Sequence, residues 1–132
     1  MQGLLIDNND KFDITIYVGK DKDEQIFADS DKESLIELDE IDAKDVQNVI
    51  FTFRSPAYRD EVNLLKNAVI SDGMNVSFDP STVRYQRFKN LLVGWSLKDS
   101  KGKTIPVSES NIGKLHPRLA GAVLVALDNK LS

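Results

Sequence analysis

The stretch DPSTVRYQRFKNLLVGW, residues 79–95, gathers more chemistry-bearing side chains than any other part of the chain. Arg84, Arg87 and Lys89 bring positive charge; Tyr85, Phe88 and the single tryptophan, Trp95, bring rings. Cations interleaved with rings suit two jobs. Exposed rings beside cations stack on the bases of single-stranded nucleic acid. Rings turned inward instead leave the cations as a polar rim for a protein partner, with the arginine stems lying along the core edge. Phe88, Leu91, Leu92 and Trp95 mark one side of a helix, with Val83 and Tyr85 on its shoulders, so the rings at 88 and 95 are expected inside. The chain carries a net charge of −4, which weakens long-range attraction to phosphate. The protein-rim reading is preferred, with Arg84, Arg87 and Lys89 as the partner contacts.

The second candidate surface is acidic. Residues 1–50 hold 14 Asp and Glu against 5 Lys, whereas residues 51–132 hold 7 against 12 Lys and Arg. Such asymmetry suits mutual neutralisation of the two halves or an acidic interaction arm on a basic body. Asp29, Asp31 and Glu33 open the densest acidic run, Asp29–Asp45, which is the expected partner of the arginines, within the chain or in a neighbouring copy. An EF-hand reading of this run fails, because Glu33 and Ser34 fall where the loop needs its fifth oxygen ligand and its glycine.

Other chemistries find no support. The chain has no cysteine, which excludes disulfides, thiolate nucleophiles and cysteine-ligated zinc. Its one histidine, His116, precedes Pro117 and suits a helix cap better than a triad. The Gly-Lys-Thr at 102–104 lacks the P-loop's first glycine, since Leu97 stands in its place. No catalytic residue, metal ligand or cofactor is assigned, and a non-enzymatic role is expected.

The elements that must position these groups form one α+β domain, with N-terminal antiparallel strands or a hairpin followed by a C-terminal bundle of three to four helices. Residues 1–53 are the strand-rich acidic part and 54–132 the helical part. Phe12–Val18 alternates apolar and polar residues, predicting a half-buried strand. Gly19–Glu24 then turns it into a returning strand at QIFA. Asp29–Asp45 is expected as a short strand or edge segment within an acidic loop, and Val46–Phe53 as another strand. Ser55 as N-cap and Pro56 at the first position predict a helix to Ile70, with Tyr58, Val62, Leu65 and Val69 as its apolar stripe and Gly73 as its stop. Asp79 and Pro80 start the arginine-bearing helix, which Gly94 interrupts. A turn is expected at Asp99–Gly102, a short helix after Ser108, and a long one from Pro117. Leu119, Ala120, Val123, Leu124, Ala126, Leu127 and Leu131 make that last helix apolar nearly all round, fit for a central position or for sharing with a partner.

Arg54, Pro56, Arg84, Arg87, Leu91, Leu92, Trp95, Leu97, Asp99, Gly102, Pro106, Asn111, Ile112, Leu115 and Pro117 follow a pattern in which an Arg-x-Pro element and a helix precede an Arg-rich helix. An LL-x-x-W-x-L-x-D-x-x-G-x-x-(I/L)-P segment and an N-(I/L)-x-x-L-x-P helix start come after it. In this the chain resembles small tailed-phage tail assembly chaperones and tail morphogenesis proteins, over residues 51–131. The resemblance implies a non-enzymatic role in the host cytoplasm, through contacts with tape-measure or tail-tube subunits or with further copies of the chain. A structural virion protein (neck, tail or capsid component) and a nucleic-acid-binding regulator are the alternatives. No apolar run approaches the roughly 20 residues that span a bilayer, and no membrane partner is expected.

Overall fold

The computed structural model describes residues 4–7, 9–67, 69–72 and 75–132. The first strand, β1 (Lys11–Lys20), is the spine of a four-stranded antiparallel sheet. It pairs on one side with β2 (Ile26–Asp29) and on the other with β3 (Gln47–Arg54), which in turn pairs with β6 (Leu92–Trp95). The order β2-β1-β3-β6 takes its last strand from between two helices. The architecture is α+β, with three strands of the sheet within Lys11–Arg54, the fourth after α3 (Pro80–Leu91), and a helix at the C-terminal end.

Register places the alternating apolar residues on one face. Phe12 lies opposite Phe53, Ile14 opposite Phe51 and Ile16 opposite Val49, as the two-residue period requires. Helix α3 (Pro80–Leu91) and helix α5 (Pro117–Leu131) supply Phe88, Leu91, Leu119, Val123 and Leu127 to the same core. Phe88 sits against both sheet phenylalanines, 6.2 Å from the Phe51 ring and 5.6 Å from the Phe53 ring, and Trp95 meets Phe51 edge-on. The rings of Phe88 and Trp95 are buried. The Trp95 Nε1–H donates to the Ile105 carbonyl at 2.6 Å, satisfying its one polar atom. Neither ring is free to stack on a base.

Start signals read from the sequence recur in the structure at several helices. Asp79 caps α3 by accepting from the Ser81 N–H. Ser108 caps the short α4 (Glu109–Ile112), and His116 Nδ1 accepts from the Arg118 N–H at the start of α5. The Asp99 carboxylate accepts from the backbone of Lys101 and Lys103, and Gly102 takes φ +80° in that turn. Among the described residues no helix is long and apolar enough to cross a membrane.

Four expectations are corrected. The acidic run is not a strand: Asp31 accepts from the Glu33 N–H and starts helix α1 (Lys32–Glu37), and a 3-10 turn follows at Ala43–Asp45. Leu35 and Ile41 are its buried anchors. The helix after β3 is shorter than expected. Ser55 follows β3 directly and donates its N–H to the Asp10 carbonyl, and α2 spans Tyr58–Asn67 with Ala57 before it. Its expected tail is instead a hairpin of β4 (Val69–Asp72) and β5 (Asn75–Phe78); the stop foreseen at Gly73 lies outside the described residues. Finally, α3 ends at Leu91, because Leu92–Trp95 pairs with β3, beginning with Leu92 in extended backbone at ψ 123°.

Gly19 is where the sheet's second face meets the acidic segment. A Cβ there would lie 2.7 Å from Ile41 Cγ2, well inside contact distance. Gly19→Ala is therefore expected to destabilise the fold by about 1–3 kcal/mol through overpacking, measured by chemical denaturation. Unchanged stability would contradict the close seating of Ile41 on β1.

Candidate protein-interaction surface

Two arginines decide how α2 faces the rest of the protein. Arg54, the last residue of β3, grips Asp60 with both guanidinium nitrogens, Nη1 to Oδ2 at 2.8 Å and Nη2 to Oδ1 at 2.9 Å. Asp60 Oδ2 also accepts from the Ala57 N–H at 2.8 Å, which satisfies a backbone donor at the helix start. Arg87, on α3, reaches Glu61 of α2 at 3.2 Å and Asp128 of α5 at 3.6 Å. Arg84 joins Asp128 at 2.8 Å. One carboxylate on α5 thus holds two cations of α3, and one cation of α3 ties together α2 and α5.

Arg54, Arg87 and Asp60 are largely covered, while Arg84 and Glu61 stay 57% and 44% exposed. Asp60, Glu61 and Leu64 are the residues that α2 turns toward the protein. The apolar stripe that would ordinarily be buried lies roughly a third of a turn away at 100° per residue. Tyr58 is 85% exposed, Val62 41% and Leu65 48%, while Leu64 is 3% exposed. The expectation that this stripe packs inward is therefore wrong for its described members. The magnitudes explain why. Val62 and Leu65 are already about half covered, so completing their burial would gain about half of the 1.5–3 kcal/mol of a fully transferred side chain. Stranding a desolvated guanidinium costs about 3–5 kcal/mol when fully buried. Arg54 and Asp60 retain 24% and 23% exposure, so much of that cost applies to them, whereas Glu61 is 44% exposed and Arg87 keeps Asp128 as a second acid. The bidentate Arg54–Asp60 contact is therefore the term that opposes the apolar gain.

The N-terminal segment carries further exposed apolar residues. Leu4, Leu5 and Ile6 are exposed. The Ser55 N–H bond to the Asp10 carbonyl, 2.8 Å, brings the root of that segment beside the chain entering α2. Exposed apolar side chains on a helix, bordered by charge, suit binding to another protein.

The residues singled out from the sequence fall in three separate places. Arg84 and Arg87 come together on Asp128, whereas Lys89 pairs apart from them with Glu109 at 3.6 Å. Their partners are Glu61, Glu109 and Asp128, so the expected pairing with the Asp29–Asp45 run within this chain is corrected. Asp29 accepts from the Asp31 N–H, and Asp31 from the Glu33 N–H and the Ser34 hydroxyl. These carboxylates organise the start of α1, with Glu33 exposed in its first turn. What sequence reasoning missed is the α2 face. The signal was the coincidence of Arg54 and Arg87 with adjacent acids at 60 and 61, which compete with the apolar stripe for the inward side. Among the described residues no group of three or more His, Asp or Glu side chains is placed to hold a metal ion. Comparison with protein-family models, with curated proteins and with solved structures finds no match.

The Arg54 guanidinium, donating hydrogen bonds to Asp60, holds that carboxyl below the ordinary carboxylate range. A depressed folded-state value means stability that is present above about pH 4, the unfolded value, and is lost as pH falls through the folded one. Asp60→Asn is expected to cost about 1–3 kcal/mol at neutral pH. The gap to the parent chain should close in acid. Denaturation curves at neutral and acid pH check this, and a pH-independent gap would contradict it.

Proposed function

We propose that the chain is a non-enzymatic tail assembly factor of a tailed phage, acting in the host cytoplasm by holding tape-measure or tail-tube subunits against α2. The observation that carries this reading is the outward apolar stripe of Tyr58, Val62 and Leu65, fixed there by ion pairs on its inner side. A surface that forgoes burial of its own apolar residues gains by covering them with a partner. A helix on one rigid mount offers anchors at i, i+4 and i+7 to an extended or helical client segment.

The family pattern supports the same reading through the scaffold. Arg54 and Arg87 hold α2, Trp95 and Pro106 shape the segment after β6, and Asn111 donates to the Pro106 carbonyl at 2.8 Å. Pro117 begins α5. These residues maintain the mount, and the client contacts fall to α2. Arg84, Arg87 and Lys89, first assigned to the partner, act in this reading as the mount's internal ties.

Tyr58→Asp and Leu65→Asp test the proposal, because both side chains are exposed and stability should change by no more than about 0.5 kcal/mol. Each variant is expected to fold as the parent does, yet to lose roughly tenfold or more in co-purification with the phage's tail-tube or tape-measure subunit. Particle assembly in a complemented deletion should fall with it. Normal tail assembly and undiminished co-purification would overturn the reading. Retention of the protein in finished particles would reassign it as a structural virion component.

A further inference from the structure

A second apolar feature lies apart from α2. Trp95, Leu97, Ile105, Leu115 and Leu119 line a groove of about 270 Å³ between the chain leaving β6 and the start of α5. Its rim is basic. Lys114 lines it directly, and the turn that joins Leu97 to Ile105 carries Lys98, Lys101 and Lys103, all exposed. Asp99, the one acid of that turn, spends its carboxylate on the backbone of residues 101 and 103.

The shape and charge that match this groove occur on the same chain. Leu38, at the end of α1, is 78% exposed. Glu37, Asp39 and Glu40 surround it in sequence, within a run of 17 residues, 29–45, that holds eight acids and two lysines. The run is firmly mounted: Leu35 and Ile41 are buried on either side of Leu38, and the Ile41 N–H donates to the Leu35 carbonyl at 3.0 Å. Leu38 thus stands out between two anchored residues, an apolar knob in an acidic collar.

We propose that a second copy of this chain occupies the groove, with its Leu38 in the apolar slot and its acidic collar against Lys98, Lys101, Lys103 and Lys114. Complementary charge selects this occupant: a groove with a lysine rim disfavours basic partners and draws acidic ones. Knob and groove are different patches of the chain, so the contact is head-to-tail. Repetition of such a contact generates a ring if the rotation closes and an open chain if it does not. The inference is independent of the role given to α2 and leaves that surface free in every copy.

Sedimentation velocity and light scattering of the full chain over a range of concentrations, at low and at high salt, give the first readout. The mass should rise with concentration at low salt and fall back when salt screens the rim. Leu38→Asp alone, and Lys101→Glu with Lys103→Glu, should each weaken association roughly tenfold or more; both alter exposed positions and leave the fold intact by circular dichroism. Mixing the two variants is the decisive arm. Each retains one intact patch, so the mixture should form one-to-one dimers that neither variant forms alone. A parent chain that stays monomeric at every concentration would overturn the proposal, and so would variants that associate as the parent does, or a mixture without dimers. Leu5→Asp abolishing association where Leu38→Asp does not would assign the knob to the N-terminal segment and overturn it equally.

Discussion

The orientation of α2 rests on two guanidinium–carboxylate contacts, Arg54 with Asp60 and Arg87 with Glu61. A guanidinium taken largely out of water must find an acid. Arg54 is fixed by its place at the end of β3, and Arg87 by its place one residue before the buried Phe88 on α3. Neither can move without disturbing the core. The acids must therefore come to them, and both lie in the first turn of the same helix. There they also complement the positive end of the helix dipole. With Asp60 and Leu64 turned inward, Tyr58 and Val62 face out, and Leu65, beside Glu61 at i+4, lies half exposed.

The rest of the molecule makes those arginines immovable. The antiparallel pairing of β1 with β3 aligns Phe12, Ile14 and Ile16 with Phe53, Phe51 and Val49. Phe88 locks α3 onto that layer through two ring contacts. α5 crosses the same layer, with Arg118 over the Phe27 ring near its start and Lys130 over the Phe12 ring near its end. It delivers Asp128 to Arg84 and Arg87. Core packing sets positions, ion pairs set the direction of α2, and that direction creates the surface proposed for clients.

Much of this was legible in residue types. The alternation of Phe12–Val18, the capping residues Asp79, Ser108 and His116, and the Asp99–Gly102 turn are local signals, and local geometry decided them. The burial of Phe88 and Trp95 followed from helical spacing even though Trp95 lies in a strand, since position 95 faces the core in either geometry. Illegible features depended on tertiary choices. The Leu92–Trp95 segment leaves the helix because β3 offers it an open edge. Val69–Asp72 pairs as a strand with Asn75–Phe78 although Val69 continues the apolar spacing of α2. The acidic run folds as a short helix because Asp31 caps it and Leu35 reaches a buried site. The face of α2 was the costliest miss: an apolar stripe and an acidic pair competed for the inward side, and only the positions of two distant arginines settled it.

The most direct measurement is the solvent exposure of methyl groups along α2, read by paramagnetic relaxation from a soluble probe in the isolated chain. The structure predicts strong enhancement at Val62 and Leu65 and little at Leu64, one position away. Protected methyls at 62 and 65 with an exposed one at 64 would contradict the account, because the helix would then present its acids outward and the two arginines would not be what orients it.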